Sequence, residues 1–365
     1  MTIRVLVVDD SRLVREILVD IINSHPDMRV VGVAEDSYQA LTLIGELNPD
    51  VLTLDVEMPR MSGLELLERL MRVRPMPVVM ISAHTREGSA VTLRALELGA
   101  VDFVPKPRLN VRIHDDYRGA VGERIRAAYG ARVRPASLSA WSPPAARGSG
   151  GVAQRPQTDR CESVITVGAS TGGTEALRAL LTALPADAPP VLVAQHMPEY
   201  FTRLFAERLN SLCQIRVREG ENNQAVQPGN AYIAPGGLHL RVQRAGEQGR
   251  FTLLVGSDAP VNLHRPSVDV LFDSAASALG SRAVGVILTG MGKDGAAGLL
   301  RMRRAGAYTL AQDEESSVVF GMPREAIALG AVDEVVPIHS MAERVLRAVR
   351  ARRVRDGTNA AGCCN

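Results

Sequence analysis

Short apolar runs rich in β-branched residues recur along the chain, and helix-like stretches separate them. The runs at 3–8, 30–34, 51–54, 78–81 and 101–104 read as strands. Between the first two, Val14, Ile17, Leu18 and Ile21 fall on one face of a 3.6-residue helix. The strands are largely apolar and rich in β-branched residues. Strands that alternate with helices build a parallel sheet covered on both sides. A second series at 164–167, 191–194, 231–233, 284–289 and 308–311 repeats the style. Ser340 followed by Glu343 predicts a capping-box start for a last amphipathic helix bearing Met341, Val345 and Val349. From 132 to 160 the periodicity lapses into Pro, Gly, Ala, Ser and Arg, which bury too little apolar surface to offset ordering. The pattern predicts two doubly wound parallel-sheet α/β domains, 1–125 and 161–350. A flexible linker at 126–160 joins them, and a tail follows at 351–365.

Composition narrows the function classes. With 46% hydrophobic and 22% charged residues, the chain is not a disordered one. Lys plus Arg number 42 against 40 Asp plus Glu, so no global basic field exists to attract nucleic acid. No apolar run approaches the roughly 18 residues that span a bilayer. Asp9 and Asp10 interrupt the first apolar run where a signal peptide would continue. A cytoplasmic protein without membrane insertion is expected. Cys161, Cys213, Cys363 and Cys364 show neither CxxC spacing nor a metal pattern with His, and read as cytosolic thiols. The single tryptophan, Trp141, lies in the linker.

Open parallel sheets bind ligands beyond the carboxyl ends of their strands. In the first domain those ends carry Asp9-Asp10-Ser11, Asp55, Ser82 and Lys106-Pro107. Three carboxylates at one sheet edge repel and raise one another's pKa. A hard divalent cation such as Mg²⁺ relieves this with oxygen ligands, while a lysine and a hydroxyl suit phosphoryl oxygens. A flavodoxin-type cofactor site is excluded, because two aspartates after strand one would repel a phosphate. Asp10 or Ser11 is also placed to cap the first helix.

The segments VLVVDDS, LDVEMPRMSG and DFVPKP resemble the receiver domain of two-component response regulators, over about residues 1–125. The resemblance implies a flavodoxin-like fold and a phosphoryl group accepted by Asp55 from a histidine kinase. It implies Mg²⁺ held by Asp9, Asp10 and Asp55, with Ser82 and Lys106 on the phosphoryl oxygens. Phe103 takes the aromatic switch position and, lacking a hydroxyl, acts through packing. Pro107 permits a cis bond after Lys106 at modest cost.

In the second domain, VITVGASTGGTEAL runs a β-branched strand into a glycine-rich turn and a helix. A dinucleotide fingerprint fails there, because Ser170 stands where backbone must approach a pyrophosphate. Gly168-Ala169-Ser170-Thr171-Gly172 fits G-x-S-x-G, a turn that exposes a nucleophile beside the free N–H groups of a helix N-terminus. A serine needs a base and an orienting acid. His196 and Asp294 each follow a later strand on the face that carries Ser170. The rivals are His239, His264 and Asp269; NLHRPSVDVL reads as a loop entering a helix, with Asp269 on the helix and His264 placed for substrate contact. The order Ser, His, Asp differs from the Ser, acid, His order of α/β-hydrolases, so a different sheet is implied.

GASTGG, QHMP, LHRPSVD and TGMGKDGA resemble the catalytic domain of the chemotaxis protein-glutamate methylesterase/glutaminase family. With a receiver in front and a linker between, the resemblance covers nearly the whole chain. It implies a Rossmann-like serine hydrolase in which Ser170, His196 and Asp294 are nucleophile, base and acid. Thr171 and Met291 fall where oxyanion donors or substrate contacts would lie. It implies phosphorylation-activated demethylation of glutamyl esters, and deamidation of glutamines, on chemotaxis receptors. The hydrolysis needs no cofactor. The alternative is a response regulator whose output domain only binds a partner or a nucleotide.

Overall fold

The computed structural model describes residues 2–82, 86–107, 115–133, 163–246 and 250–361, with backbone alone at 86–87, 115–116 and 352–361. Trp141, Cys161, Cys363, Cys364 and most of the expected linker, from 134 on, lie outside the described residues. The chain divides into two compact units, Met1–Trp141 and Ser142–Asn365.

In the first unit, strands β1 (Ile3–Val8), β2 (Met28–Ala34), β3 (Val51–Asp55), β4 (Val78–Ser82) and β5 (Asp102–Pro105) alternate with helices α1 (Arg12–Asn23), α2 (Ser37–Leu47), α3 (Gly63–Val73), α4 (Arg86–Glu97) and α5 (Asp115–Tyr129). The strands pair in parallel in the order β2-β1-β3-β4-β5. β3 and β4 are buried at every position, as strands covered on both faces must be. α1 buries Val14, Leu18, Ile21 and Ile22 against the sheet, each worth roughly 1.5–3 kcal/mol. α3 opens with a capping box, Ser62 with Glu65, which fixes where the chain turns after Asp55. Ser11 is the N-cap of α1 but makes no side-chain cap bond; its N–H donates instead to Asp9 Oδ1 at 2.9 Å.

The expected boundary at 125 falls inside α5. The helix continues to Tyr129 because Ile125, Ala127 and Ala128 are buried. Among the described residues the one cis peptide bond is Arg265–Pro266, so the bond after Lys106 is trans.

The second unit holds β6 (Val164–Ala169), β7 (Val191–Gln195), β8 (Arg216–Glu219), β9 (Asn230–Ile233), β10 (His239–Ala245), β11 (Arg250–Gly256), β12 (Ala283–Ile287), β13 (Tyr308–Gln312) and β14 (Glu334–Val336). Its helices are α6 (Gly173–Thr182), α7 (Glu199–Leu212), α8 (Val268–Leu279), α9 (Ala296–Arg304), α10 (Met322–Ala328) and α11 (Ile338–Ala361). Seven strands form one parallel sheet in the order β14-β13-β12-β6-β7-β9-β8. β10 and β11 form a separate antiparallel pair. Its inward residues Leu240, Val242, Phe251 and Leu253 share a core with Leu271, Phe272 and Ala275 of α8.

Two expectations shift here. α11 begins at Ile338, so Ser340 is its third residue rather than its cap. Ser316 satisfies the first donor from another loop, accepting from Ile338 N at 3.0 Å. The same helix runs through 351–361, where a separate tail was expected.

Candidate active site

Each unit has a switch point, where chain connections leave a central strand in opposite directions and open a crevice. In the second unit that strand is β6, flanked by β7 and β12. Ser170 follows β6 directly, His196 follows β7, and Asp294 lies on the turn between β12 and α9. The expected strand 284–289 ends at Ile287, and Thr289 lies in a bend beyond it. Its hydroxyl lies 3.0 Å from Thr171 O and 3.1 Å from Val319 O, and accepts from Val319 N at 2.9 Å.

The turn at Ser170 is held by its backbone. Ser170 N donates to Thr289 O at 3.0 Å, and Gly173 N donates to Ser170 O at 2.7 Å. Gly172 sits at φ 76° as the N-cap of α6, a conformation that suits only glycine here, since an added Cβ would also meet Val318 at 2.5 Å. Gly290 packs on Ser170: a Cβ there would lie 2.7 Å from Ser170 Cβ. Gln195 ties Ser170 to His196, its Nε2 donating to Ser170 O at 2.9 Å and to His196 O at 3.3 Å.

His196 Nδ1 lies 3.1 Å from Ser170 Oγ, and His196 Nε2 lies 2.8 Å from Asp294 Oδ2. Both side chains of the His–Asp pair are buried. The ring presents Nδ1 to the serine, the reverse of the chymotrypsin arrangement. Asp294 accepts from five donors. Val268 N joins His196 on Oδ2 at 2.7 Å; Asn262 Nδ2, Ser267 Oγ and Asp269 N reach Oδ1 at 2.7, 2.8 and 3.2 Å. Burial pushes its pKa up, but the His196 hydrogen bond and charge, then Asn262 and Val268, drive it well below the usual carboxylate range. The carboxylate thus sits on the N-terminus of α8, where N–H groups and helix dipole favour a negative charge.

Asp269 returns the arrangement. Its Oδ1 accepts from Gly298 N of α9 at 2.5 Å, and its Oδ2 from Asn262 at 2.7 Å. Burial, with Asp294 close by, raises its pKa. His264 stacks on His196, ring centroids 3.7 Å apart and 16° from parallel. His239 is buried and holds the loop before α8, with Nε2 3.1 Å from Ala259 O and Nδ1 accepting from Ser267 N at 3.2 Å. Burial lowers its pKa.

Of the two candidate oxyanion residues, Met291 follows Gly290 and its N–H makes no hydrogen bond. Thr171 is buried, with its carbonyl beside the Thr289 hydroxyl. Sequence reasoning missed Gln195, Asn262 and Ser267. Only the spacing of Ser267 before a helical pattern carried any signal, that of an N-cap.

In the first unit the switch point lies between β1 and β3. Asp9, Asp10 and Asp55 bring carboxylate oxygens within 4.8 Å of one another. Lys106 Nζ lies 2.8 Å from Asp55 Oδ2 and 3.3 Å from Asp9 Oδ2. Burial, then the charge of Asp9, pushes Asp55 up to about 6 against the pull of Lys106. Asp9 is also raised by burial. Asp9 Oδ2 is buried with no hydrogen bond, although Lys106 is near. An oxygen left so, among three carboxylates, fits a hard divalent cation. Ser82 points away: its Oγ meets Gly88 O at 3.2 Å and Thr92 Oγ1 at 2.6 Å on α4. Phe103 is buried on β5. Cys213 is buried and its thiol pushed up to about 12, an inert thiol.

Known proteins are similar to this chain over both units. Residues 165–345 match the profile described as CheB methylesterase, and residues 5–118 match the response regulator receiver domain. A protein-glutamate methylesterase/protein-glutamine glutaminase 2 of Cupriavidus pinatubonensis is 57% identical over 359 residues, 98% of each chain. One from Burkholderia lata, numbered 3, is 58% identical over 351 residues, 94% of this chain and 95% of that one. The Thermotoga maritima CheB methylesterase catalytic domain is 38% identical, covers 51% of this chain and 97% of its own, and has a TM-score of 0.49. The receiver domain of the same Thermotoga protein is 45% identical, covering 36% and 99%, with a TM-score of 0.33.

Proposed function

The chain belongs to the protein-glutamate methylesterase/protein-glutamine glutaminase family, and from that membership we propose how its two sites divide the work. The second unit hydrolyses glutamyl γ-methyl esters, and glutamine amides, on methyl-accepting chemotaxis receptors. Ser170 Oγ attacks the carbonyl carbon while its proton passes to His196 Nδ1. Asp294 fixes the tautomer with the proton on Nε2 and stabilises the imidazolium. The N–H of Met291 receives the oxyanion, with Thr171 the second candidate donor. His196 then gives its proton to the leaving methoxide oxygen, and methanol departs. Water, deprotonated by the same imidazole, hydrolyses the acyl-serine to the carboxylate. With a glutamine the leaving group is ammonia. The observation that carries this reading is the unbroken chain Ser170–His196–Asp294, ending in a carboxylate saturated by donors.

The first unit is the control element. Asp55 accepts a phosphoryl group from a chemotaxis histidine kinase, in the cytoplasm. Asp9, Asp10 and Asp55 would hold Mg²⁺, whose charge would offset that of the phosphoryl oxygens. Lys106 contacts one of those oxygens. Ser82 reaches another only by leaving Thr92, and Phe103 repacks into the space that opens. Phosphorylation raises esterase activity through this change.

No described helix is long and apolar enough to cross a membrane. An output domain that only binds is the competing reading, and family membership does not favour it. A fluorophosphonate reagent separates the two. It labels Ser170 of the native chain, and methylated receptor membranes protect against it; a binding module gives no label.

A further inference from the structure

The loop from β11 to α8 contains a two-residue turn. Val261 N donates to His264 O at 3.1 Å, and His264 N to Val261 O at 2.9 Å. The central residues Asn262 and Leu263 have φ 53° and 67°. Both positive angles make this a type I′ turn, whose ordinary sequence is Asn-Gly. Asparagine tolerates the conformation; leucine does not, because its Cβ crowds the backbone there. Leu263 is also 92% exposed. Leucine therefore costs stability here without packing against anything in return, and glycine would remove both penalties.

The turn cannot relax on its own. Asn262 is clamped to Asp294 and Asp269. His264 is stacked on His196. Around the turn, His239 joins Ala259 to Ser267, Arg265 Nη1 donates to Ser257 O and Asp258 O, and Gly237 N donates to Arg265 O. Strain held in place by its surroundings, beside reacting groups, points to a task for the strained residue.

We infer that Leu263 is a specificity-determining contact for the polypeptide that carries the target glutamyl ester, and that it meets an apolar side chain flanking that glutamate. The inference rests on the esterase reading above. A glutamyl side chain is short, so its backbone must lie against the rim of the site when its carbonyl meets Ser170. Leu263 lies in the turn between Asn262, which holds the acid, and His264, which covers the base, and its exposure leaves it open to that backbone. Val261, 38% exposed, adds apolar surface beside it.

The test compares two esters with the full-length chain. One is methylated receptor in membranes, read by methanol release; the other is N-acetyl-glutamate γ-methyl ester amide, which has no flanking residues. Leu263→Gly and Leu263→Asn should both raise the melting temperature. Both should lower the ratio of kcat/KM for receptor to kcat/KM for the small ester by about tenfold, the worth of one lost apolar contact. Leu263→Met should keep the ratio. An unchanged ratio in both polar and glycine variants would overturn the inference, as would a fall in melting temperature for Leu263→Gly. A wild-type chain that hydrolyses neither ester would overturn the esterase reading, and this inference with it.

Discussion

Asp55 and Asp294 occupy equivalent addresses, each at the switch point of a doubly wound parallel sheet, yet their surroundings drive them in opposite directions. Asp55 is crowded by Asp9 and Asp10 and faces one lysine, so burial and like charge push it up to about 6. Asp294 has five donors and the start of a helix, and stays ionised far below the usual range. The first arrangement keeps a charge deficit that a cation and a phosphoryl group can enter. The second keeps a permanent anion that nothing needs to neutralise. One fold rule chooses the place; the local supply of donors chooses the chemistry.

The largest effect that would break this comparison lies at the nucleophile. Ser170→Ala should reduce methanol release from methylated receptors by roughly 10⁶-fold, and His196→Ala by a similar factor, since such groups act as a unit. The double variant should be no worse than either. Additive losses in the double variant, or near-normal release in Ser170→Ala, would remove the second site from the comparison.

Asp294→Asn comes next, with an expected loss of roughly 10⁴-fold, because an amide favours the wrong imidazole tautomer. The variant retains oxygen and NH₂ in the place of a carboxylate that held five donors, so the N-terminus of α8 should also loosen. Amide hydrogen exchange at Val268 and Asp269 reports this directly. Unaltered protection at both, together with full activity, would show that the donors around Asp294 do no more than fill space.

What was legible in the chain follows from the range over which each feature is encoded. The strand ends Asp9, Asp55, Ser170 and His196 were readable because a buried strand and the residue after it are adjacent. The turn at Gly172 was readable for the same reason. Asn262 was not: its partner Asp294 lies 32 residues away, and the contact depends on a positive φ that Asn-Leu does not announce. Gln195 looked like one more strand residue, since only the sheet brings it under Ser170 O. β8 (RVRE) and β14 (EVV) were missed because edge strands carry charges that break the apolar run. The β10–β11 pair alternates on one covered face, a pattern unlike the buried strands that set the reading.

The smallest effect sharpens the comparison at Asp55, in a wild-type chain kept free of divalent ions. In the unfolded chain its carboxyl titrates near 3.8; in the folded chain it titrates at about 6. The folded state therefore holds the proton more tightly, and stability is lost as pH rises through 6 and regained as it falls toward 3.8. Integrated over that window the effect is on the order of 3 kcal/mol at neutral pH, less whatever Asp9 and Lys106 absorb by titrating with it. Asp294 has the reverse sign and contributes its stability above the unfolded value. The two are separated by substitution. Asp55→Asn should melt at a higher temperature than wild type at pH 7.5, and the difference should shrink as pH falls to 5. Titrating groups remote from Asp55 are common to both chains and cancel; Asp9 and Lys106, coupled to it, contribute to the difference. The same variant should take no label from a small phosphodonor with Mg²⁺, and label on Asp55→Asn would move the acceptor to Asp10. A difference in melting temperature that stays constant from pH 7.5 to pH 5 would mean that Asp55 is not held in a charge-starved site, and the contrast with Asp294 would fail.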